Sequence, residues 1–106
     1  MADKVELLGI KADVAASFLQ RAKGLIGRSS LPPGEGLLIE RCNAIHTFFM
    51  KFPIDAIFLD RRGRVVKTVR NIRPWRFLVW GGWRAVKVLE VAAGERREEG
   101  KGKWEE

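Results

Sequence analysis

Apolar residues dominate both faces of the run Ile54–Asp60, IDAIFLD, in the middle of the chain. Successive side chains of an extended strand point to opposite faces, so Asp55 would share its face with Ile57 and Leu59. A strand with two apolar faces is typical of a sheet that is covered on both sides. Because an ionised carboxylate is very costly to bury alone, the run predicts a central buried strand whose one acid has a partner.

Shorter apolar runs predict further strands before and after this one. Residues 5–10, 36–41 and 85–92 each have the length and apolar content of a strand. Residues 64–72 are predicted to pair back on the central strand, through a hairpin loop in which Gly63 supplies the positive φ. Their alternation of apolar and polar residues is poor, so we expect a β-bulge in this pair of strands.

One helix is predicted before residue 24. Asp13 is a suitable N-cap, apolar residues follow at i+4 spacing, and Gly24 provides a stop after Lys23. The predicted fold class is therefore mainly β (α+β by count of elements), a compact antiparallel sheet or open barrel with one short N-terminal helix. A single globular domain is expected over residues 1–94, followed by a charged tail over 95–106 that has no apolar face to bury.

Composition narrows the class of protein. The 106 residues are enough for one domain with a modest core, and 46% hydrophobic with 31% charged residues is typical of a folded, soluble domain. The sequence has no run of about 18 apolar residues, so no transmembrane helix is expected. The first residues lack the basic and apolar regions of a signal peptide. One cysteine cannot form an internal disulfide and suits a reducing compartment, so a cytoplasmic protein is expected.

Several blocks of the sequence occur together in a fixed order. They are GLIGR (24–28), GLL (36–38), HTFFMKFPIDAIFLD (46–60), RPWR (73–76) and VLEVAAG (88–94). With the residues between them, these blocks resemble domain-of-unknown-function family 192 over about residues 5 to 94. The resemblance implies a small, mostly β single domain found in bacteria and archaea, without an established activity. It bears on the fold and leaves the function open.

Polar residues inside these apolar blocks are the first candidates for a site. The candidate pocket residues are Arg28, His46, Thr47, Asp55 and Glu90. They come from segments that an antiparallel sheet could bring together, around the one histidine of the chain. The alternative is an internal network of ion pairs that fixes the fold, because buried charges must be paired. We regard that structural network as the commoner arrangement.

The sequence gives little support for a catalytic centre or a metal centre. On one strand, Cys42 and His46 would lie about 13 Å apart, whereas a nucleophile and its base must lie within about 3 Å. Cys42 is then a small core side chain. Structural zinc needs four Cys or His ligands, and the chain contains one of each. No phosphate-binding glycine loop or nucleophile elbow is present, so no catalytic residue, metal or cofactor is predicted.

The net charge of +7 is unevenly distributed. Seven basic residues and no acidic one lie between Arg61 and Arg76. A phosphate backbone could follow such a hairpin while bases stack on nearby aromatic rings. The candidate nucleic-acid contacts are Arg61, Arg62, Arg64, Lys67, Trp75, Trp80 and Trp83. The alternative is a solvated charged face beside a core-covering loop at residues 80–83, and we favour it.

The sequence thus favours a non-catalytic ligand- or partner-binding module of unknown specificity. The first alternative is a small enzyme that uses a His46, Asp55 and Glu90 pocket. The second is a nucleic-acid binder that uses the basic hairpin and the tryptophans of residues 61–83, since an anionic partner is the class that the charge favours. The ligand, the oligomeric state and the cellular process stay open.

Overall fold

The computed structural model describes residues 4–95 of the chain. The elements are β1 (Lys4–Leu7), β2 (Ile10–Ala15), α1 (Phe18–Lys23), β3 (Glu35–Glu40), β4 (Ala44–Ile45), β5 (Ile54–Leu59), β6 (Val65–Ile72), β7 (Val79–Trp80) and β8 (Lys87–Ala92). Six strands form an open sheet in the order β1-β2-β3-β8-β5-β6, and β4 pairs with β7 in a separate two-stranded ribbon. The mainly β class with one short helix is confirmed for this part of the chain.

The sheet differs from the expected antiparallel one in a single pair, because β2 and β3 run parallel with Ala12 opposite Gly36. A parallel pair requires a crossover connection, and here that connection contains α1. The first predicted strand is also split. Leu8 and Gly9 have φ of 57° and 80°, so the chain reverses between β1 and β2, which pair antiparallel.

The helix begins later than predicted. Asp13 lies in β2 opposite Leu37, and the N-cap is Ser17, whose side chain accepts the Gln20 amide in a capping box. The helix ends at Lys23, as predicted, and Gly24 caps it with φ of 50°. Among the described residues, no helix has the length and hydropathy to cross a bilayer.

Strand β5 is buried along its whole length, as its two apolar faces predicted. Its two faces belong to different clusters: Ala56 and Phe58 pack in one, Ile57 and Leu59 in the other. Strand β8 lies between β3 and β5 and divides its side chains in the same way, with Val88 in the first cluster and Leu89 and Val91 in the second. The sheet therefore has a core on each face.

The β5–β6 hairpin and its bulge are confirmed. Gly63 has φ of 81° in the loop, and the register between β5 and β6 shifts in two places. One shift lies beside Asn71, whose φ is 54°. The charged tail predicted for residues 95–106 lies, apart from Glu95, outside the described residues, and the domain limit at residue 94 stays a prediction.

Candidate functional site

A pocket of about 290 Å³ opens on one face of the sheet, between the end of α1, the end of β3 and the segment that carries β4. Its walls are mostly apolar and include Leu25, Ile39, Ile45 and Met50. The polar or basic side chains in its lining are Arg21, Lys23, Cys42, His46 and Glu90. Two of the five residues predicted for a pocket, His46 and Glu90, are thus brought together. Such a concave, largely apolar space with a few polar groups is the usual form of a small-molecule site.

Glu90 is the most unusual group in this lining. It lies on β8, on the face that also carries Val88, opposite Leu37 and Ala56 of the neighbouring strands. It is only 3% exposed, and desolvation by burial raises the pKa of its carboxyl to about 8. Among the residues that the structure describes, none forms a hydrogen bond or an ion pair with this carboxyl. At neutral pH Glu90 therefore keeps its proton and can donate an O–H to a molecule in the pocket.

Arg21, to which no sequence pattern pointed, contains a second polar atom without a partner among the described residues. Its Nε is buried and has no hydrogen-bond partner within the described part of the chain, while Nη1 donates to the carbonyl of Arg41 at 3.5 Å. A buried, unpaired N–H is costly. Arg21 lies in the last turn of α1, so its position depends on where that helix begins and ends.

Cys42 and His46 both line the pocket, and each side chain forms a hydrogen bond with backbone two residues away. The Cys42 thiol donates to the carbonyl of Ala44 at 3.1 Å, and burial raises its pKa above the ordinary value. It is therefore a neutral thiol at pH 7, not a thiolate nucleophile. His46 Nδ1 accepts the Phe48 amide at 3.1 Å, so the neutral ring carries its proton on Nε2 and is a donor there.

Asp55 lies on the opposite face of the sheet from Glu90, since it pairs with Val91, the next residue of β8. It is 1% exposed. The sequence predicted that such a buried acid has a partner, and the structure shows two backbone amides and an arginine in that role. Its Oδ1 accepts the Asn71 amide at 2.8 Å, and its Oδ2 accepts the Gly94 amide at 3.3 Å. Arg70 Nη1 lies 3.9 Å from Oδ2. Asp55 thus satisfies the amide that the β6 bulge frees, and it does not meet His46 or Glu90.

Arg28 and Thr47 also lie away from this lining. Arg28 Nη2 is 3.5 Å from Asp13, whose carboxylate is bonded more closely by Lys4 at 2.6 Å. Thr47 is fully buried and joins two loops: its Oγ1 donates to the Arg73 carbonyl at 2.6 Å and accepts the Arg76 amide at 2.8 Å. Both residues have contacts that hold the fold together.

The predicted nucleic-acid residues divide into two groups. Residues Arg61, Arg62, Arg64 and Trp83 line one cleft of about 530 Å³, together with Asp60, Arg84 and Val86. Lys67 and Trp80 lie next to it, because Trp80 stacks edge-on against Trp83 with ring centroids 5.0 Å apart and its carbonyl accepts from Lys67 Nζ at 2.7 Å. Trp75 instead contacts Phe48 and Phe49. Arg84, which was not predicted, directly follows a predicted contact in the sequence.

No cluster of three or more His, Cys, Asp or Glu that could hold a metal ion occurs within residues 4–95. The pocket lining contains one thiol, one imidazole and one carboxyl that burial keeps protonated at neutral pH. Metal ligands must be deprotonated to bind, so this set is suited to hydrogen bonding.

Comparison with known proteins identifies relatives over most of the chain. The model of the DUF192 family, described as an uncharacterized ACR, matches residues 2–101. A UPF0127 protein of Pyrococcus abyssi is 37% identical over 103 aligned positions, which cover 83% of this chain and 85% of that protein. A UPF0127 protein of Pyrococcus horikoshii is 42% identical over 72 positions, 62% of this chain and 59% of that protein. The crystal structure of a protein of unknown function from Novosphingobium aromaticivorans is similar in fold, with a TM-score of 0.73 at 23% identity over 86% of this chain and 71% of that one.

Proposed function

The chain belongs to the DUF192 family of uncharacterised proteins, and we propose that this member is a non-catalytic binding module that takes a small carboxylate with an apolar body into the pocket lined by Glu90. The observation that carries this proposal is the Glu90 carboxyl itself, buried in the lining without a partner among the described residues. Burying a carboxyl without a hydrogen bond costs stability. A ligand that accepts its proton in a hydrogen bond removes that cost.

The donors around the pocket define the polar end of the ligand. Protonated Glu90 offers an O–H, Arg21 offers the positive charge of its guanidinium group, and His46 offers Nε2–H. The Cys42 thiol is already used by the Ala44 carbonyl. A carboxylate presents two acceptor oxygens to such donors and is attracted by the guanidinium charge. A cationic ligand would instead face Arg21 and Lys23 in the same lining.

The walls define the rest of the ligand. Leu25, Ile39, Ile45 and Met50 present apolar surface, and burial of an apolar group against them is favourable by about 25 cal/mol per Å². The volume of about 290 Å³ lies at the lower end of the range for small-molecule pockets, roughly 300 to 1,000 Å³. One ring or a short alkyl chain therefore fits better than a drug-sized molecule.

Binding fits these groups better than catalysis. A nucleophile needs an activated thiol or hydroxyl beside a base, whereas burial keeps Cys42 neutral. The triad of His46, Asp55 and Glu90 is divided between the two faces of the sheet. The remaining pocket donors can hold and orient an anion without transferring a proton to or from it.

Isothermal titration calorimetry with phenylacetate as the ligand tests the proposal. Wild-type protein should bind phenylacetate at pH 7 and should bind 2-phenylethylamine, a cation of similar size, much more weakly. As the pH rises above about 8, Glu90 ionises and repels the ligand, so affinity should fall about tenfold per pH unit. Glu90→Gln keeps a donor without a titrating proton, and should retain binding at pH 7 but lose this pH dependence.

Two arginine variants provide a matched control. Arg21→Gln should weaken phenylacetate binding, because it removes a donor and a charge from the pocket, while Arg28→Gln removes the same charge outside the lining and should leave binding unchanged. Stronger binding of the amine, or equal losses in the two arginine variants, would contradict the proposal.

A further inference from the structure

We propose that the protein has a second binding site, the arginine cleft formed by Asp60, Arg61, Arg62, Arg64, Trp83, Arg84 and Val86, and that this cleft binds single-stranded nucleic acid. It uses residues that the Glu90 pocket does not. The proposal rests on the joint presence of cations and an exposed indole in one concave surface, where phosphates and unpaired bases of the same strand can be bound together.

Two separate segments build the cleft, and backbone hydrogen bonds hold them side by side. The Val86 amide donates to the Leu59 carbonyl at 2.8 Å, which fastens the chain after Arg84 to the start of the hairpin loop. Within that loop the Asp60 amide donates to the Arg64 carbonyl at 2.9 Å, and the Gly63 amide donates to the Asp60 carbonyl at 2.9 Å. The arginine side chains therefore project from a loop of defined shape.

The charge of the cleft is positive even though it contains an acid. Hydrogen bonds from the amides of Arg64 and Arg62 lower the pKa of Asp60, whose Oδ1 accepts both amides at 2.9 Å. Its Oδ2 lies 3.6 Å from Arg64 Nε. The cleft thus contains four guanidinium groups and one carboxylate, and that carboxylate already accepts hydrogen bonds within the loop. Guanidinium is planar and matches phosphate oxygens bidentately, so the cleft is suited to phosphates.

Trp83 supplies the aromatic surface. It is 86% exposed, so its indole contributes little to the core. Its position is nevertheless supported, because Trp80 meets it edge-on at 5.0 Å and Lys67 holds the Trp80 carbonyl. An indole held in place but left in solvent, beside four arginines, is a platform on which a base can stack.

The cleft fits single strands better than other polyanions. In a duplex the bases stack on one another, and Trp83 would gain no stacking partner. A membrane surface requires a continuous apolar face, whereas five of the seven lining residues are charged. Inorganic polyphosphate would engage the arginines but would leave Trp83 unused.

Fluorescence anisotropy with a labelled ten-nucleotide oligothymidine, repeated at several salt concentrations between about 0.05 and 0.2 M, tests the assignment. Four phosphate contacts predict a log–log salt slope of about −3 on a single strand. The double variant Arg61→Gln/Arg62→Gln should halve that slope, while Arg73→Gln/Arg76→Gln removes the same charge from exposed residues outside the cleft and should change it little. Trp83→Ala should weaken binding at least about fivefold, and Trp75→Ala should not.

Parallel titrations with duplex DNA, polyphosphate and anionic vesicles complete the test. Weaker binding of all three supports the single-strand site, provided that circular dichroism shows every variant to be folded. Equal salt slopes for the two double arginine variants would mean that the cleft contributes only general surface charge and is not a specific site. Binding of polyphosphate or vesicles as tight as that of the oligonucleotide, or no effect of Trp83→Ala, would overturn the assignment. None of these outcomes depends on phenylacetate binding, so the two proposals fail separately.

Discussion

Gly81 lies directly against the ring of Phe58, so that a Cβ on Gly81 would come within 2.1 Å of Phe58 Cδ1. Phe58 is fully buried in β5, and the Gly81 amide donates to the Asn43 carbonyl at 2.7 Å. Glycine is required here for space, because the Phe58 ring is packed inside the core and the Gly81 backbone is held by this hydrogen bond. This contact sets how closely the loop that carries Trp83 approaches the sheet.

Gly81→Ala should therefore destabilise the protein by about 1–3 kcal/mol or more, as overpacking of a core does. Urea unfolding measures the loss. In a Phe58→Leu background the same substitution should cost less, because the smaller side chain vacates part of the space, and the difference between the two backgrounds gives the coupling. Equal costs in both backgrounds would show that the Phe58 ring is not the obstacle.

Glu90 should make stability depend on pH with an unusual sign. Its pKa is about 8 in the folded protein, raised from 4.5 by burial, so its contribution is fully present below about pH 4.5 and is lost as pH rises to about 8. The difference corresponds to about 5 kcal/mol in all. Glu90→Gln should remove this dependence and be the more stable form at pH 8.5, as urea unfolding at several pH values would show. A wild-type stability that does not fall across this interval would mean that Glu90 ionises as a solvated acid.

Asp55→Ala should destabilise the protein by about 3–5 kcal/mol, because the Asn71 and Gly94 amides lose a charged acceptor inside the structure. Asp55→Asn keeps one acceptor oxygen and should lose clearly less. Chemical denaturation of both variants measures the two losses, and unchanged midpoints would show that water already satisfies these amides.

Thr47→Val should cost about 1–3 kcal/mol, since it removes the hydroxyl that bonds the Arg73 carbonyl and the Arg76 amide. Thr47→Ser retains the hydroxyl and is the matched control. Thermal unfolding of the two variants distinguishes the bonds from the packing. If serine were as damaging as valine, the methyl group would be the part that matters.

Cys42 should react slowly with iodoacetamide at pH 7.5, because burial raises the pKa of its thiol and its S–H is bonded to Ala44. The same protein in denaturant should be alkylated quickly, which provides the control. Mass spectrometry at timed intervals measures both rates. Rapid labelling of the folded protein would indicate a thiolate in the pocket and would reopen the enzymatic alternative.

Local patterns predicted the central strand correctly. Alternation around Asp55 indicated two apolar faces and a paired acid, and both are confirmed. The identity of its partners depended on the bulge at Asn71, and nothing in the local sequence fixes which amide such a bulge frees. The shared apolar face of β8 likewise marked Glu90, but whether it met Asp55 depended on a register that sequence does not specify.

Arg21, the pocket residue that was not predicted, was missed for a simpler reason. A capping box at Ser17 and Gln20 competes with Asp13 as a helix start, and its spacing is visible in the sequence. A helix that is capped by Ser17 places Arg21 in its last turn, where Nη1 can donate to the Arg41 carbonyl. The positive charge of the hairpin loop was also visible in the sequence. That Arg84 lies beside this loop was not, because a hydrogen bond between Val86 and Leu59, far apart in the chain, holds the two segments together.

The position of β8 between β3 and β5 has a consequence for synthesis on the ribosome. Every earlier strand of the large sheet has emerged before residues 87–92 do, yet the β1–β3 group and the β5–β6 hairpin share no edge until β8 arrives to join them. Until then β3 and β5 each expose unpaired backbone groups to other chains. Until β8 has been synthesised, the two parts of the sheet therefore each have an open edge that can pair with other chains, and β8 is the strand that joins them.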